Sequence, residues 1–237
     1  MKYFFLHIIA LPLQLWFLFK TKPTDNVYLR CFIKTFPIIL QAIFLILQAT
    51  TKAETYLFYG LLASAFADVA LEYSGDFLYF VSGIIGFILA HVMNFIGLTS
   101  TASFEWNIAS ICAIAIIIII WILMTLRILS FKLDKIMTIA CITYASFILS
   151  GFYSACHLLL FATQFDTNWR ILCFIGYISF VCSDFTLFHN VFGERTNLKT
   201  FICMFTYYLA QEFLSIGIVL CIHDSGMTSF GEIHVEI

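Results

Sequence analysis

The chain has 237 residues, of which 62% are hydrophobic and only 11% charged; 28 are phenylalanine, and the formal net charge is −2. A soluble domain keeps about a quarter of its residues charged, so this composition excludes one. A nearly neutral chain without a long basic tract also excludes nucleic acid as a partner. Polar residues gather in short gaps between apolar runs of about 17 to 25 residues, the length that crosses a bilayer core, which predicts an all-α polytopic membrane protein.

Eight transmembrane helices are predicted, at residues 3–19, 31–49, 55–74, 77–99, 106–129, 136–161, 170–190 and 200–222. The first span is followed by Lys20, Lys22 and Pro23 rather than by a small-residue cleavage site, so it reads as a retained span and not as a signal peptide. The second opens on Lys34 and Pro37. The third, quoted from Gly60 as GLLASAFADVAL, sets Asp68 among apolar neighbours; Ser64 and Glu72 lie four residues to either side, on the same helix face. Glu72 and Asp76 border a gap and read as solvated. The fourth span holds His91, and the fifth contains the featureless run Ile116–Ile120, which reads as lipid-facing. The sixth holds His157, the seventh Ser183, Asp184 and His189, and the eighth Tyr207, Tyr208 and Gln211.

No gap is Gly/Ser-rich, so residues 1–222 are expected to form a single membrane domain, followed by a polar tail at 223–237. The eight cysteines are scattered without a CxxC pair and read as free thiols in the core. Nine Lys and Arg residues fall in odd-numbered gaps against three elsewhere, which places both termini on the lumenal or exterior side.

One pattern recurs. Gly60, Asp68 and Leu71 in the third span, and Gly176, Asp184 and Leu187 in the seventh, both read G-x7-D-x-x-L. Four spans separate the two copies, so both helices run in the same direction and the carboxylates lie at similar depth. A charge at the centre of a bilayer costs about 2.5–3.5 kcal/mol on insertion scales, so such residues face a bundle interior and carry function. Ordinary roles stand beside this reading. Either aspartate can be a structural group, paired with Lys34 or bridging helices; His91 and His157 can be satisfied interior histidines; Tyr207 and Tyr208 can anchor packing.

Several elements together resemble the lysoplasmalogenase, or YhhN-like, membrane family: Lys34-Thr-Phe-Pro37, Gly60 to Asp68, Ala90-His91, Ser183-Asp184, and Thr206-Tyr-Tyr-Leu-Ala-Gln211. The family usually shows Gly-Asp in the third span where this chain has Ala67-Asp68, which adds one methyl beside the carboxylate. The resemblance implies a multi-pass hydrolase of the endoplasmic reticulum membrane. Its implied substrate is a lysoplasmalogen, whose vinyl ether is cleaved to a fatty aldehyde and glycerophosphocholine or glycerophosphoethanolamine.

That reaction begins with a proton delivered to the β-carbon of the vinyl ether and passes through an oxocarbenium ion that water traps. One carboxyl kept protonated can donate, and a second, ionised, can stabilise the cation and orient water. Asp68 and Asp184 are the expected catalytic pair, with the roles unassigned. Lys34, Tyr207, Tyr208 and Gln211 are expected at the glycerophosphate end, Ser64 and Ser183 beside the acids, and His91 as proton relay. No cofactor is called for, and neither H-x3-H nor HExxH is present to suggest a metal. The rival readings are a proton-coupled transporter, also built on paired intramembrane acids, and a non-catalytic lipid-binding protein.

Overall fold

A computed structural model describes residues 3–20, 26–73, 75–103 and 106–225. Eight helices follow in order: α1 (Phe5–Lys20), α2 (Val27–Gln48), α3 (Lys52–Glu72), α4 (Phe77–Thr99), α5 (Ile108–Ser130), α6 (Lys135–Phe161), α7 (Thr167–Phe192) and α8 (Asn197–Asp224). Six of them, α2 and α4 to α8, are long and apolar enough to cross a membrane. The apolar α1 is shorter, at 16 residues, and α3 carries Lys52, Glu54, Asp68 and Glu72 among its apolar residues. The fold is an all-α, multi-pass membrane bundle.

Most helices run past the apolar stretches that predict them, because capping rather than hydropathy sets their ends. Helices α2 to α8 begin after Asn26, Thr51, Asp76, Asn107, Asp134, Asp166 and Thr196 in turn. All are residue types whose side-chain oxygens can take up amides of the first turn. Helix α7 therefore starts at Thr167 and α8 continues to Asp224, into the segment expected as tail; residues 226–237 lie outside the described ones.

Five helices close a ring, each packing on the next: α3 on α4, α4 on α6, α6 on α7, α7 on α8, and α8 back on α3. Helix α2 covers the α3–α8 seam, and α1 lies on α2 and α8. Helix α5 packs mainly on α6 and meets side chains of α7 near its C-terminal end, with only Ser110 and Ile128 buried. The turn between α5 and α6 is sharp: Lys132 takes the left-handed conformation, with φ 53°, and Asp134 then caps α6 through the amides of Ile136 and Met137.

The two glycines of the repeated pattern occupy equivalent places. A methyl on Gly60 would meet Asn94 Oδ1 at 2.4 Å and Ala90 O at 3.3 Å; one on Gly176 would lie 3.1 Å from Phe213 Cβ and 3.2 Å from Leu214 N. Each lets its helix approach the next helix in sequence, α3 to α4 and α7 to α8.

Helix α1 docks through Leu6, His7, Ala10 and Gln14, a helical stripe. His7 and Gln14 reach Glu212 of α8, where Gln41 of α2 joins them; Gln14 Nε2 donates at 2.9 Å and Gln41 Nε2 at 2.6 Å. Three partners around one carboxylate tie α1 and α2 to the ring. Glu212 was not foreseen from the sequence, because a glutamate after Gln211 carries no spacing signal by itself.

Candidate active site

The ring interior collects polar side chains from all five of its helices. Asp68 comes from α3, His91 from α4, Tyr144 from α6, Tyr177 and Asp184 from α7, and Tyr207 from α8. The histidine and both aspartates are buried, at 6% exposure or less. They sort into two networks, one around each aspartate.

Around Asp68 the partners include charges. Lys34 Nζ of α2 lies 3.2 Å from Asp68 Oδ1 and 3.3 Å from Glu72 Oε1, and Arg30 also pairs with Glu72. Tyr207 donates its hydroxyl to Asp68 Oδ2 at 2.6 Å. Burying a carboxylate demands such compensation: an uncompensated charge in a low-dielectric interior costs several kcal/mol. The expected solvation of Glu72 does not hold. Its side chain is 7% exposed, because α2 brings Arg30 and Lys34 over it; Asp76 is exposed and caps α4 through the amide of Leu78 at 2.8 Å.

Around Asp184 the direct partners are a phenol and an imidazole. Tyr144 donates to Asp184 Oδ2 at 2.7 Å, and His91 Nε2 lies 3.2 Å from the same oxygen. His91 Nδ1 is in turn 3.0 Å from the hydroxyl of Tyr177. Tyr177 fits because α6 carries Gly151 opposite it: a methyl there would sit 1.6 Å from the phenolic oxygen. Aromatic packing separates the two networks, with Phe180 5.8 Å from the ring of Tyr207 and 5.3 Å from that of His91.

Of the two aspartates, Asp184 lines a cleft. A cleft of about 780 Å³, counting its open mouth, is walled by apolar side chains of α4, α5, α6 and α7, among them Phe87, Met124, Ile148 and Phe188. Asp184 and Tyr144 line it, with Arg127 of α5 as its one formally charged basic side chain. Asp68 does not line it.

The other expected residues are placed as follows. Lys34, Tyr207, Tyr208 and Gln211 gather on the α2–α3–α8 side, with Tyr208 hydroxyl 3.4 Å from the carbonyl of Lys34, and none of them lines the cleft. Ser64 is buried, and its hydroxyl makes no hydrogen bond among the described residues. Ser183 donates to the carbonyl of Cys203 at 3.0 Å and so ties α7 to α8. His157 is buried in α6 against the rings of Tyr153 and Phe161. Tyr144 and Tyr177 escaped the sequence reading; Tyr177, seven residues before Asp184, shares its helix face and was open to detection, whereas Tyr144 on α6 carries no spacing signal.

The alanine at 67 has a local counterpart. Ala67 is fully buried, and a methyl built on Gly86 of α4 would fall 2.9 Å from its Cβ. The methyl beside Asp68 is accommodated by the lack of one across the helix interface.

Among the described residues no three His, Cys, Asp or Glu side chains converge as metal ligands would. Comparison with curated proteins and with solved structures gives no match. The YhhN family model matches residues 29–218, which hold both aspartates, helices α3 to α7 and most of α8. The chain therefore belongs to the YhhN family, which includes the lysoplasmalogenases.

Proposed function

We propose that this protein is a lysoplasmalogenase of the endoplasmic reticulum membrane that hydrolyses a vinyl ether by carboxyl acid chemistry centred on Asp184. The observation that carries the reading is the position of Asp184: a buried carboxyl, held by Tyr144 and His91, on the wall of an apolar cleft. A lysolipid can slide its ether end into such a cleft without leaving the membrane.

In the proposed reaction Asp184 gives its proton to the β-carbon of the vinyl ether. The double-bond electrons form the new C–H bond, and the adjoining carbon becomes an oxocarbenium ion beside the carboxylate just formed. Water adds to that carbon and returns a proton to Asp184, and the hemiacetal collapses to aldehyde and glycerophospho-alcohol. General acid catalysis of this kind supplies about 10²–10⁴-fold in rate. His91 and Tyr144 fix the carboxyl, and His91 with Tyr177 behind it offers a route for proton exchange. Asp68, locked by Lys34 and Tyr207, supports the wall of Tyr207 and Phe180 against which His91 rests.

Transport is the less supported reading. Helices α3 and α7, which carry the aspartates, are continuous, and the prolines inside helices fall at Pro12 of α1 and Pro37 of α2. The broken helices of many carriers are therefore not present at the acids.

The test uses purified protein in detergent with a vinyl-ether lysolipid and its saturated alkyl-ether twin. Aldehyde is expected from the first alone, and substitution Asp184→Asn is expected to abolish it. Absence of aldehyde from the wild-type protein, or full activity in the variant, sinks the proposal.

A further inference from the structure

The glycerophosphate end of such a substrate needs a cation, and the lysine expected for that role is already engaged. Lys34 is held between Asp68 and Glu72. Arg170 spends its guanidinium on the carbonyls of Phe165 and Leu159 and on the hydroxyl of Thr167. Lys199 donates to the carbonyl of Glu194. Arg127 differs from these, because it lines the cleft and makes no ion pair with a carboxylate among the described residues.

Its side chain is nonetheless held in place. The guanidinium carbon stands 4.7 Å from the centroid of the Phe131 ring, Nε lies 3.5 Å from His189 Nε2, and Nη1 is 3.3 Å from the hydroxyl of Ser130. A cation stacked on an aromatic face is oriented without being neutralised. A planar fork of donors is well matched to phosphate oxygens.

We propose that Arg127, held in place by Phe131 and His189, is the phosphate anchor of the cleft and holds the phosphodiester of a lysophospholipid whose ether end lies at Asp184. The proposal rests on the reading of the cleft given above and adds the group that orients its ligand. Asp184 and Arg127 line the same cleft, so one ligand can touch both. The phosphorus of a 1-alkenyl glycerophospholipid is six single bonds from the first vinyl carbon, about 7 Å when extended.

The tail has a place as well. A second, largely apolar groove lies farther from Arg127 along α5, with Trp121 and Ile117 on that helix and Ser146, Leu149 and Tyr153 on α6. A ligand anchored at Arg127 thus has its reacting bond at Asp184 and its chain along α5 and α6.

The experiment measures binding, so it does not depend on turnover. Purified protein is titrated with the alkyl-ether lysophosphocholine, with the matching 1-O-alkylglycerol that lacks phosphate, and with inorganic phosphate. Arg127→Gln is expected to weaken the lysophospholipid about 10- to 100-fold, the range of a lost charge-assisted contact, while leaving alkylglycerol binding unchanged; Arg127→Lys is expected to recover part of the loss. Unchanged lysophospholipid affinity in Arg127→Gln overturns the proposal, as does an equal loss for alkylglycerol, which would mark Arg127 as a packing residue. Inorganic phosphate binding as tightly as the lysolipid also overturns it, since the site would then serve a free anion. Arg127-dependent binding in a protein that releases no aldehyde upholds the anchor and removes only the reaction.

Discussion

Two aspartates set in the same G-x7-D pattern have been given opposite surroundings. Asp68 sits against Lys34, with Glu72 and Arg30 completing a four-charge cluster, and is walled off by Tyr207. Asp184 has a phenol and an imidazole for partners and opens onto an apolar cleft. A carboxylate beside an ammonium is a fixed charge that holds helices together. A carboxyl held by groups that can also pass protons, and exposed to a lipid-shaped space, is suited to chemistry. The repeat thus supplies position, and the helix packed against each copy decides use: α2 brings a lysine to the first, α4 and α6 bring His91 and Tyr144 to the second.

The sharpest way to break this contrast is to neutralise each acid in turn. Asp184→Asn is expected to lower aldehyde release by about 10²–10⁴-fold, the range for loss of a general acid, with little change in the midpoint of thermal inactivation in detergent. Asp68→Asn is expected to do the reverse first, destabilising the protein toward the low end of the about 3–5 kcal/mol seen when one partner of a buried ion pair is removed. Adding Lys34→Met should restore much of that loss. Similar stability in both single variants would dissolve the distinction.

The supports of each network come next in size. Gly151→Ala places a methyl where the Tyr177 hydroxyl lies. It is expected to cost about 1–3 kcal/mol as overpacking and to lower activity through His91, whereas Cys156→Ala, on the same helix but away from the cleft, should leave turnover near wild type. Gly86→Ala sets two methyls 2.9 Å apart beside Asp68 and should cost a comparable amount, which Ala67→Gly in the same molecule reverses. Lack of reversal would mean that the α3–α4 interface is limited by something other than this pair.

The smallest expected effect compares two phenols. Tyr207→Phe removes a hydrogen bond to a charge-compensated carboxylate and should appear as about 1–2 kcal/mol of stability. Tyr144→Phe should appear mainly in turnover, by about tenfold, measured as kcat on the vinyl-ether substrate. If both act only on stability, Asp184 has no special role.

Much of this was legible in the chain. The eight apolar runs determined eight helices, because a bilayer demands about 20 apolar residues per crossing. The span count led to the expectation of both aspartates at one depth, and intramembrane acids are rare enough to draw attention unaided. Helix ends were less legible, since Asp166 and Thr196 cap helices from outside the apolar windows. Within the site, Asp184 and His91 were found by type and position, whereas Tyr144 was not singled out and Arg127 entered only as one of the charges that set orientation.

By itself, then, the sequence determined a membrane-embedded helical bundle with two buried acids, because hydropathy and helical periodicity are properties of each segment alone. The tertiary structure decided which acid meets a cation, which meets a cleft, and which arginine lines that cleft. Those depend on how α2 packs on α3 and on the side chains that α4, α5 and α6 bring to α7, a placement that no single segment encodes.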